Sequence, residues 1–239
     1  MENYSVVITG GNKGLGAEIS TSILTGTSWD VISISRTPTT LDPLSKNPRY
    51  KEYLYDFSNL TDLDIFCKEI FYTHNVIGLV NNAAIAYDEI VTNASANEIN
   101  HMLTVNCIAP TIMTKWMIRS SMIHKGDKSI VNIGSVSAHT GYKGLSMYGG
   151  SKGYLSSFST AIAREWGTKG VRINTIAAGF MDTDMSAKLS QDQKKRIANR
   201  TSKKSMLDIS EVAQTTLFLL KSESSAITGT TIHVDNGTL

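Results

Sequence analysis

Short apolar runs of strand character alternate with helical runs along the whole chain, and no other feature limits its fold as much. Val6 to Thr9, Val31 to Ser35, Glu52 to Tyr55, Gly78 to Asn81, Ile130 to Ile133, Arg172 to Ala177 and Thr231 to Val234 read as strands. Several are apolar enough to be buried on both faces. Leu15 to Leu24, Leu63 to Tyr72, Ala96 to Met122, Tyr148 to Trp166 and Ile209 to Leu220 place apolar residues at three- and four-residue spacing, the mark of a helix with one buried stripe. Strand and helix in repeated succession build a parallel sheet covered on both faces, so the expected class is α/β with a doubly wound sheet of about seven strands.

The chain has 239 residues, 41% of them hydrophobic and 18% charged, enough for a sizeable core. Its glycines and prolines fall mostly at element ends, so one domain over residues 1–239 is expected. The polar stretch from Asp182 to Ser205, with Lys188, Lys194, Lys195, Arg196, Lys203 and Lys204, reads as irregular and suits a lid over a site. A net charge of +2, spread along the chain, argues against nucleic acid or a membrane surface as the main partner. Met1 to Tyr4 run straight into the first strand without a signal core, and no apolar run reaches membrane-spanning length, so a cytoplasmic location is expected. Cys67 and Cys107 are too far apart for a metal knuckle or redox pair and read as buried thiols. The five histidines are dispersed, so no metal site is expected.

The first strand ends in Thr9-Gly10-Gly11-Asn12-Lys13-Gly14-Leu15-Gly16, and the helical pattern begins at once. Glycines at such a junction allow a sharp turn, close approach of backbone N–H groups to a pyrophosphate, and tight packing of helix on strand. The helix N-terminus adds partial positive charge. A tight structural loop is the alternative. With this turn the sheet reads as Rossmann-type. The second strand ends at Ser35-Arg36, where an acidic residue would accept from the ribose of NAD. Arginine there suits a 2′-phosphate, with Lys13 as a second cation, so NADP(H) is the expected cofactor. A solvated Arg36 is the alternative.

Tyr148 and Lys152 stand four apart on one helical face, where an ammonium beside a phenol would lower the tyrosine pKa for acid–base work. A Tyr-x-x-x-Lys pair recurs by chance in a chain with nine tyrosines, so context decides. Ser135 ends the fifth strand and Asn81-Asn82-Ala83-Ala84 ends the fourth, both at the carboxyl edge where a doubly wound sheet binds ligands.

In order, Thr9-Gly10 to Gly16, Asp56, Asn81-Asn82-Ala83-Ala84, Asn106, Ser135, Tyr148 and Lys152 resemble the short-chain dehydrogenase/reductase family nearly end to end. The resemblance implies that Tyr148 protonates a carbonyl oxygen that Ser135 also contacts. It implies that Lys152 holds the nicotinamide ribose, and that Asn106 anchors a water of the proton relay. Asn82 and Ala83 would flank the cofactor, Asp56 would meet the adenine, and Gly179, Met181 and Thr183 would lie by the nicotinamide and pyrophosphate. The alternatives are a turn cap for Asp56 and a bridge between strands for Asn106. Two departures stand out: Ala84 where the family usually has glycine, and Ala178-Gly179 where it has Pro-Gly. The second is expected to loosen the loop near the nicotinamide.

Within the family, Gly179 to Met185, Leu189 to Gln193 and Ile227 to Asp235 are most similar to β-ketoacyl-acyl-carrier-protein reductases. The resemblance implies reduction of a small-molecule or acyl-carrier-linked carbonyl, with a small alcohol, sugar or pathway-specific ketone as the alternative substrate. A non-catalytic dinucleotide sensor is the competing class. Lys125, Lys128 and Lys169 would face an acidic carrier if one docks and are otherwise a solvated surface, and His139, Tyr142 and Lys143 would line the substrate entrance. A homotetramer is expected, built partly on the helix of Tyr148, whose Gly149, Gly150 and Gly153 are explained by close cofactor approach, packing on a second copy or packing within one subunit.

Overall fold

A computed structural model describes residues 4–183, 186 and 190–238. Met1 to Asn3 and the lid residues Asp184, Met185, Lys188 and Leu189 of the sequence reading lie outside them. Strands β1 (Ser5–Thr9), β2 (Asp30–Ser35), β3 (Tyr50–Leu54), β4 (Val76–Asn81), β5 (Lys128–Ile133), β6 (Val171–Ala178) and β7 (Thr231–Val234) form one sheet in the order β3-β2-β1-β4-β5-β6-β7. All neighbours are parallel. This is the doubly wound Rossmann-type sheet that the alternation predicts.

Every residue of β1, β2 and β5 is buried, because helices cover both faces. On one face, Ile19 and Ile23 of α1 (Gly14–Gly26) and Val212 and Leu217 of α8 (Ile209–Leu220) pack on Ile8, Val80 and Val131. On the other, Phe71 of α3 (Leu63–Thr73), Met113 of α5 (Ala109–Ser120) and Ala163 of α6 (Ser146–Trp166) pack on Val7, Leu79 and Ile130. Strand neighbours such as Leu79 and Val80 therefore enter different layers, as the two-residue repeat requires. Each large side chain so buried contributes about 1.5–3 kcal/mol. A single turn, α2 (Asp42–Ser45), α4 (Ala96–Leu103) and α7 (Gln191–Arg200) complete the helices named here.

Strand β1 lies between β2 and β4, so the connections after β1 and β4 leave toward opposite faces and open a crevice at the carboxyl edge.

Three expectations are corrected. The helix read from Ala96 to Met122 is broken: α4 ends at Leu103, and Thr104–Ile108 form a π turn in which Ala109 N–H donates to the Thr104 carbonyl. Pro110 has no N–H to give to the Asn106 carbonyl, which accounts for the lost α-helical rung. The Asp182–Ser205 stretch is not wholly irregular, since Ser190 and Gln193 form a reciprocal capping box that opens α7. Ala178 does not loosen its loop, for it extends β6 in register with Val234.

Candidate active site

The glycine-rich turn is built by backbone need. Gly10 and Gly14 have φ of +68° and +52°, in the left-handed region where a side chain is strained. A Cβ on Gly16 would stand 1.9 Å from the Gly10 carbonyl oxygen and 2.8 Å from Asn82 Nδ2. The turn is then pinned from the neighbouring strand. Asn82 Nδ2 donates to the Thr9 and Gly10 carbonyls at 3.0 and 3.1 Å, and the N–H groups of Asn82 and Ala83 donate to Thr9 Oγ1. Asn12 is buried and donates to Thr37 O at 2.8 Å, tying the turn to the connection that follows Arg36.

Gly10, Asn12, Lys13, Gly14, Leu15, Gly16, Arg36, Asp56, Asn82, Ala83, Ser135, Tyr148, Lys152, Gly179, Met181 and Thr183 all line one cavity of about 1010 Å³ at the carboxyl edge. Of the predicted catalytic and cofactor-binding positions, only Asn106 does not. The residues fit a phosphorylated dinucleotide: glycines bring bare backbone to the wall, α1 begins there, and Lys13 and Arg36 supply positive charge beside it. Asp56 caps a turn, accepting from Ser58 N–H and Oγ–H at 2.9 and 2.8 Å. The Ser58 backbone bond leads the causes that hold its carboxyl below the usual range, and Arg36 lowers it further.

Ser135, Tyr148 and Lys152 meet at the other end of the cavity. Lys152 is buried, and its ammonium donates to the Ile133 carbonyl at 2.8 Å. Ser135 Oγ accepts from Ser137 N–H at 3.1 Å and from the Ser137 hydroxyl at 2.9 Å, which occupies both acceptor positions and leaves its own O–H able to donate. Burial pushes the Tyr148 phenol up to about 12, with the Asp88 charge adding to the effect, and brings Lys152 down to about 8. The expected lowering of Tyr148 by Lys152 is thus absent in the chain alone. Desolvation of the phenol is the leading cause, and an ionised phenolate is disfavoured in a buried site.

The side chain of the buried Asn106 is hydrogen-bonded to neighbouring elements. Its Oδ1 accepts from Ile85 N–H at 2.9 Å, and its Nδ2 donates to Ile85 O at 2.9 Å and to Ser151 Oγ at 3.0 Å. It therefore ties the π turn to the β4–α4 connection and to α6, and both amide protons are taken. His139 does not line the entrance, since its ring packs edge-on against His233 at 4.9 Å, whereas Tyr142 and Lys143 do line the cavity. Lys128 is 1% exposed and donates to Val76 O. Lys125 and Lys169 are exposed, but they precede β5 and β6 and so lie at the amino edge of the sheet, away from the cavity. For Gly149 the structure favours packing within the chain: its Cβ would stand 2.5 Å from the Ser137 carbonyl. Ala84 lines the cavity without positive φ. The sequence reading missed Asp88, Phe180, Ile197 and Arg200 of the lining, because no local pattern marks a residue whose place is set by a distant connection.

Among the described residues, no cluster of three metal-ligating side chains occurs, and no helix is long and apolar enough to cross a membrane. Cys67 and Cys107 are buried and free.

A family model described as enoyl-(acyl carrier protein) reductase matches residues 41–238. The 3-oxoacyl-acyl-carrier-protein reductase of Buchnera aphidicola subsp. Schizaphis graminum is 31% identical, over 99% of this chain and 98% of its own length. Carbonyl reductase family member 4 of Xenopus tropicalis is 34% identical, over 96% of this chain and 95% of its own. Among solved structures, a putative NAD(P)-dependent gluconate 5-dehydrogenase from Beutenbergia cavernae with bound NADP superposes with a TM-score of 0.93, covering 100% of this chain and 97% of its own at 23% identity, a likeness of fold. With the strand order, the glycine turn and the end-to-end similarity to these reductases in agreement, the chain belongs to the short-chain dehydrogenase/reductase family of oxidoreductases, which act on CH–OH and C=O groups with NAD(P).

Proposed function

We propose that the chain is an NADPH-dependent carbonyl reductase, with 3-oxoacyl-acyl-carrier-protein or a related ketone as substrate. The observation that carries this reading is the meeting of Ser135, Tyr148 and Lys152 in the cavity that the glycine turn also lines. Lys13 and Arg36 favour the 2′-phosphorylated cofactor. The bound reduced cofactor supplies a hydride to the carbonyl carbon. Tyr148 gives its phenolic proton to the carbonyl oxygen, and its raised pKa keeps that proton in place until the oxygen becomes basic. Ser135 donates its free O–H to the same oxygen. Lys152 keeps two N–H groups beyond its bond to Ile133, available to a ribose hydroxyl and, as positive charge, to the nascent phenolate. Asn106 supports this set by positioning α6 through Ser151.

The stretch 182–205 is read as a lid of the one domain. Asp182 and Lys194 pair at 2.6 Å, joining the segment after β6 to α7. The exposed Leu103, Ile108, Tyr154 and Trp166, on α4, the π turn and α6, fit a second copy of the chain in a tetramer; light scattering giving the mass of one 26.0 kDa chain would refute this. A small-ketone reductase is the second reading, favoured by the position of Lys125, Lys128 and Lys169 away from the cavity mouth.

The test is NADPH oxidation, followed by the absorbance of the reduced nicotinamide, with β-ketoacyl thioesters and simple ketones. Turnover of thioesters above ketones supports the first reading, and the reverse supports the second. Tight NADPH binding with no turnover of any carbonyl would overturn both in favour of a dinucleotide sensor.

A further inference from the structure

The wall of the cavity around Tyr148 carries two cations for which the proposed reduction has no task, Lys143 and Arg200. Lys143 stands in the connection between β5 and α6, five residues before Tyr148. Arg200 is the last residue of α7, and Ile197, one turn earlier, lines the same cavity. The two connections touch through the Tyr142 and Phe180 rings, 5.3 Å apart at 78°. Both residues are exposed and line the cavity, and neither forms a salt bridge among the described residues.

The other charges of the lining are accounted for. Lys13, Arg36 and Asp56 belong to the end of the cavity by the glycine turn and β2, and Lys152 is buried against Ile133. Asp88 is the remaining carboxylate among the described lining residues, and its charge is felt at Tyr148. The substrate end therefore holds two unpaired cations and one carboxylate beside apolar walls of Tyr142, Phe180 and Ile197. Such a mouth concentrates anions and repels cations.

Building on the reductase reading, we infer that the substrate presents an oxyanion group, a carboxylate or a phosphate, to Lys143 and Arg200 while its carbonyl lies at Tyr148. The planar guanidinium suits either oxyanion by paired hydrogen bonds, and the ammonium adds a point charge. A carboxylate would belong to a keto acid, and a phosphate to the phosphopantetheine arm of a carrier-linked thioester.

The experiment compares charged and neutral partners of one reacting group with the full chain and NADPH: acetoacetate against its ethyl ester, and acetoacetyl-phosphopantetheine against acetoacetyl-N-acetylcysteamine. Lys143→Met and Arg200→Met should each raise KM about 10- to 100-fold for the charged member of one pair, the scale of a charge-assisted hydrogen bond. They should leave kcat, the neutral member and the NADPH Kd unchanged. The pair that responds identifies the oxyanion. Equal effects on charged and neutral members would overturn the inference, as would loss of NADPH affinity in the Arg200 variant, which would place that cation at the cofactor. If no ketone is turned over, the reductase reading fails separately. Thermal stabilisation of the NADPH-loaded protein by tartrate then still reads the site: stabilisation lost in both variants supports it, and stabilisation unchanged in both overturns it.

Discussion

The ammonium of Lys152 stands 5.8 Å from the centroid of the Tyr148 ring, one turn along α6, with its charge buried and bonded to the Ile133 carbonyl. A buried cation of this kind is held at a cost to the fold. Its pKa is about 8 when folded against 10.5 when exposed. Between those values the unfolded chain binds more protons, so the Lys152 contribution to stability rises with pH across that window and is most unfavourable below it. At about 1.4 kcal/mol per pKa unit the penalty at neutral pH is about 3 kcal/mol, offset in a variant by the bond lost at Ile133.

Lys152→Met is therefore expected to abolish reduction while leaving the fold as stable as the parent or more so at pH 7. The difference in melting temperature should move in favour of the parent as pH rises from about 8 to about 10.5. A difference that does not change with pH would show that the buried ammonium carries no penalty.

Tyr148→Phe removes the proposed proton donor and keeps the ring in the cavity wall. Reduction should fall by at least about a hundredfold, the scale of a lost general acid, with NADPH affinity by fluorescence titration retained. Near-normal turnover would exclude Tyr148 as the donor.

Arg36 lines the cavity close enough to Asp56 to lower its pKa. Arg36→Ala should raise the KM for NADPH about 10- to 100-fold, as for a charge-assisted contact to phosphate, and leave NADH use unchanged. Equal use of both cofactors by the parent protein would make Arg36 a surface charge.

The strand pattern was legible because parallel strands buried on both faces must be apolar throughout; β7 is bounded as the pattern predicts, whereas β3, β4 and β5 each begin two residues before the apolar run. The break at Thr104–Ile108 was written in Pro110, but apolar spacing runs across it and hides it. Helix α7 was signalled by Ser190 and Gln193 alone, since its polar sequence buries no described residue and so leaves no stripe to read. The cavity lining was legible where a motif ends a strand and illegible for Asp88, Ile197 and Arg200, which reach it only through the fold.

Gly149 and Gly150 are adjacent in α6 and should respond oppositely to alanine. A Cβ at Gly149 meets the Ser137 carbonyl oxygen at 2.5 Å, whereas nothing lies within 4 Å of one at Gly150. The first contact is with backbone, in the turn that begins at Ser135, so it is relieved only by moving α6 away from that turn. Gly149→Ala is therefore expected to cost about 1–3 kcal/mol, the scale of overpacking, and to separate Tyr148 from Ser135, lowering kcat more than it raises the KM for NADPH. Gly150→Ala adds helix propensity of up to about 1 kcal/mol and should raise the melting temperature without changing kcat. Urea unfolding and steady-state kinetics on both variants check the pair. Equal tolerance at the two positions would disprove the close fit of α6 on the Ser137 carbonyl, and a loss of stability at Gly150 would show that a second copy of the chain covers that face.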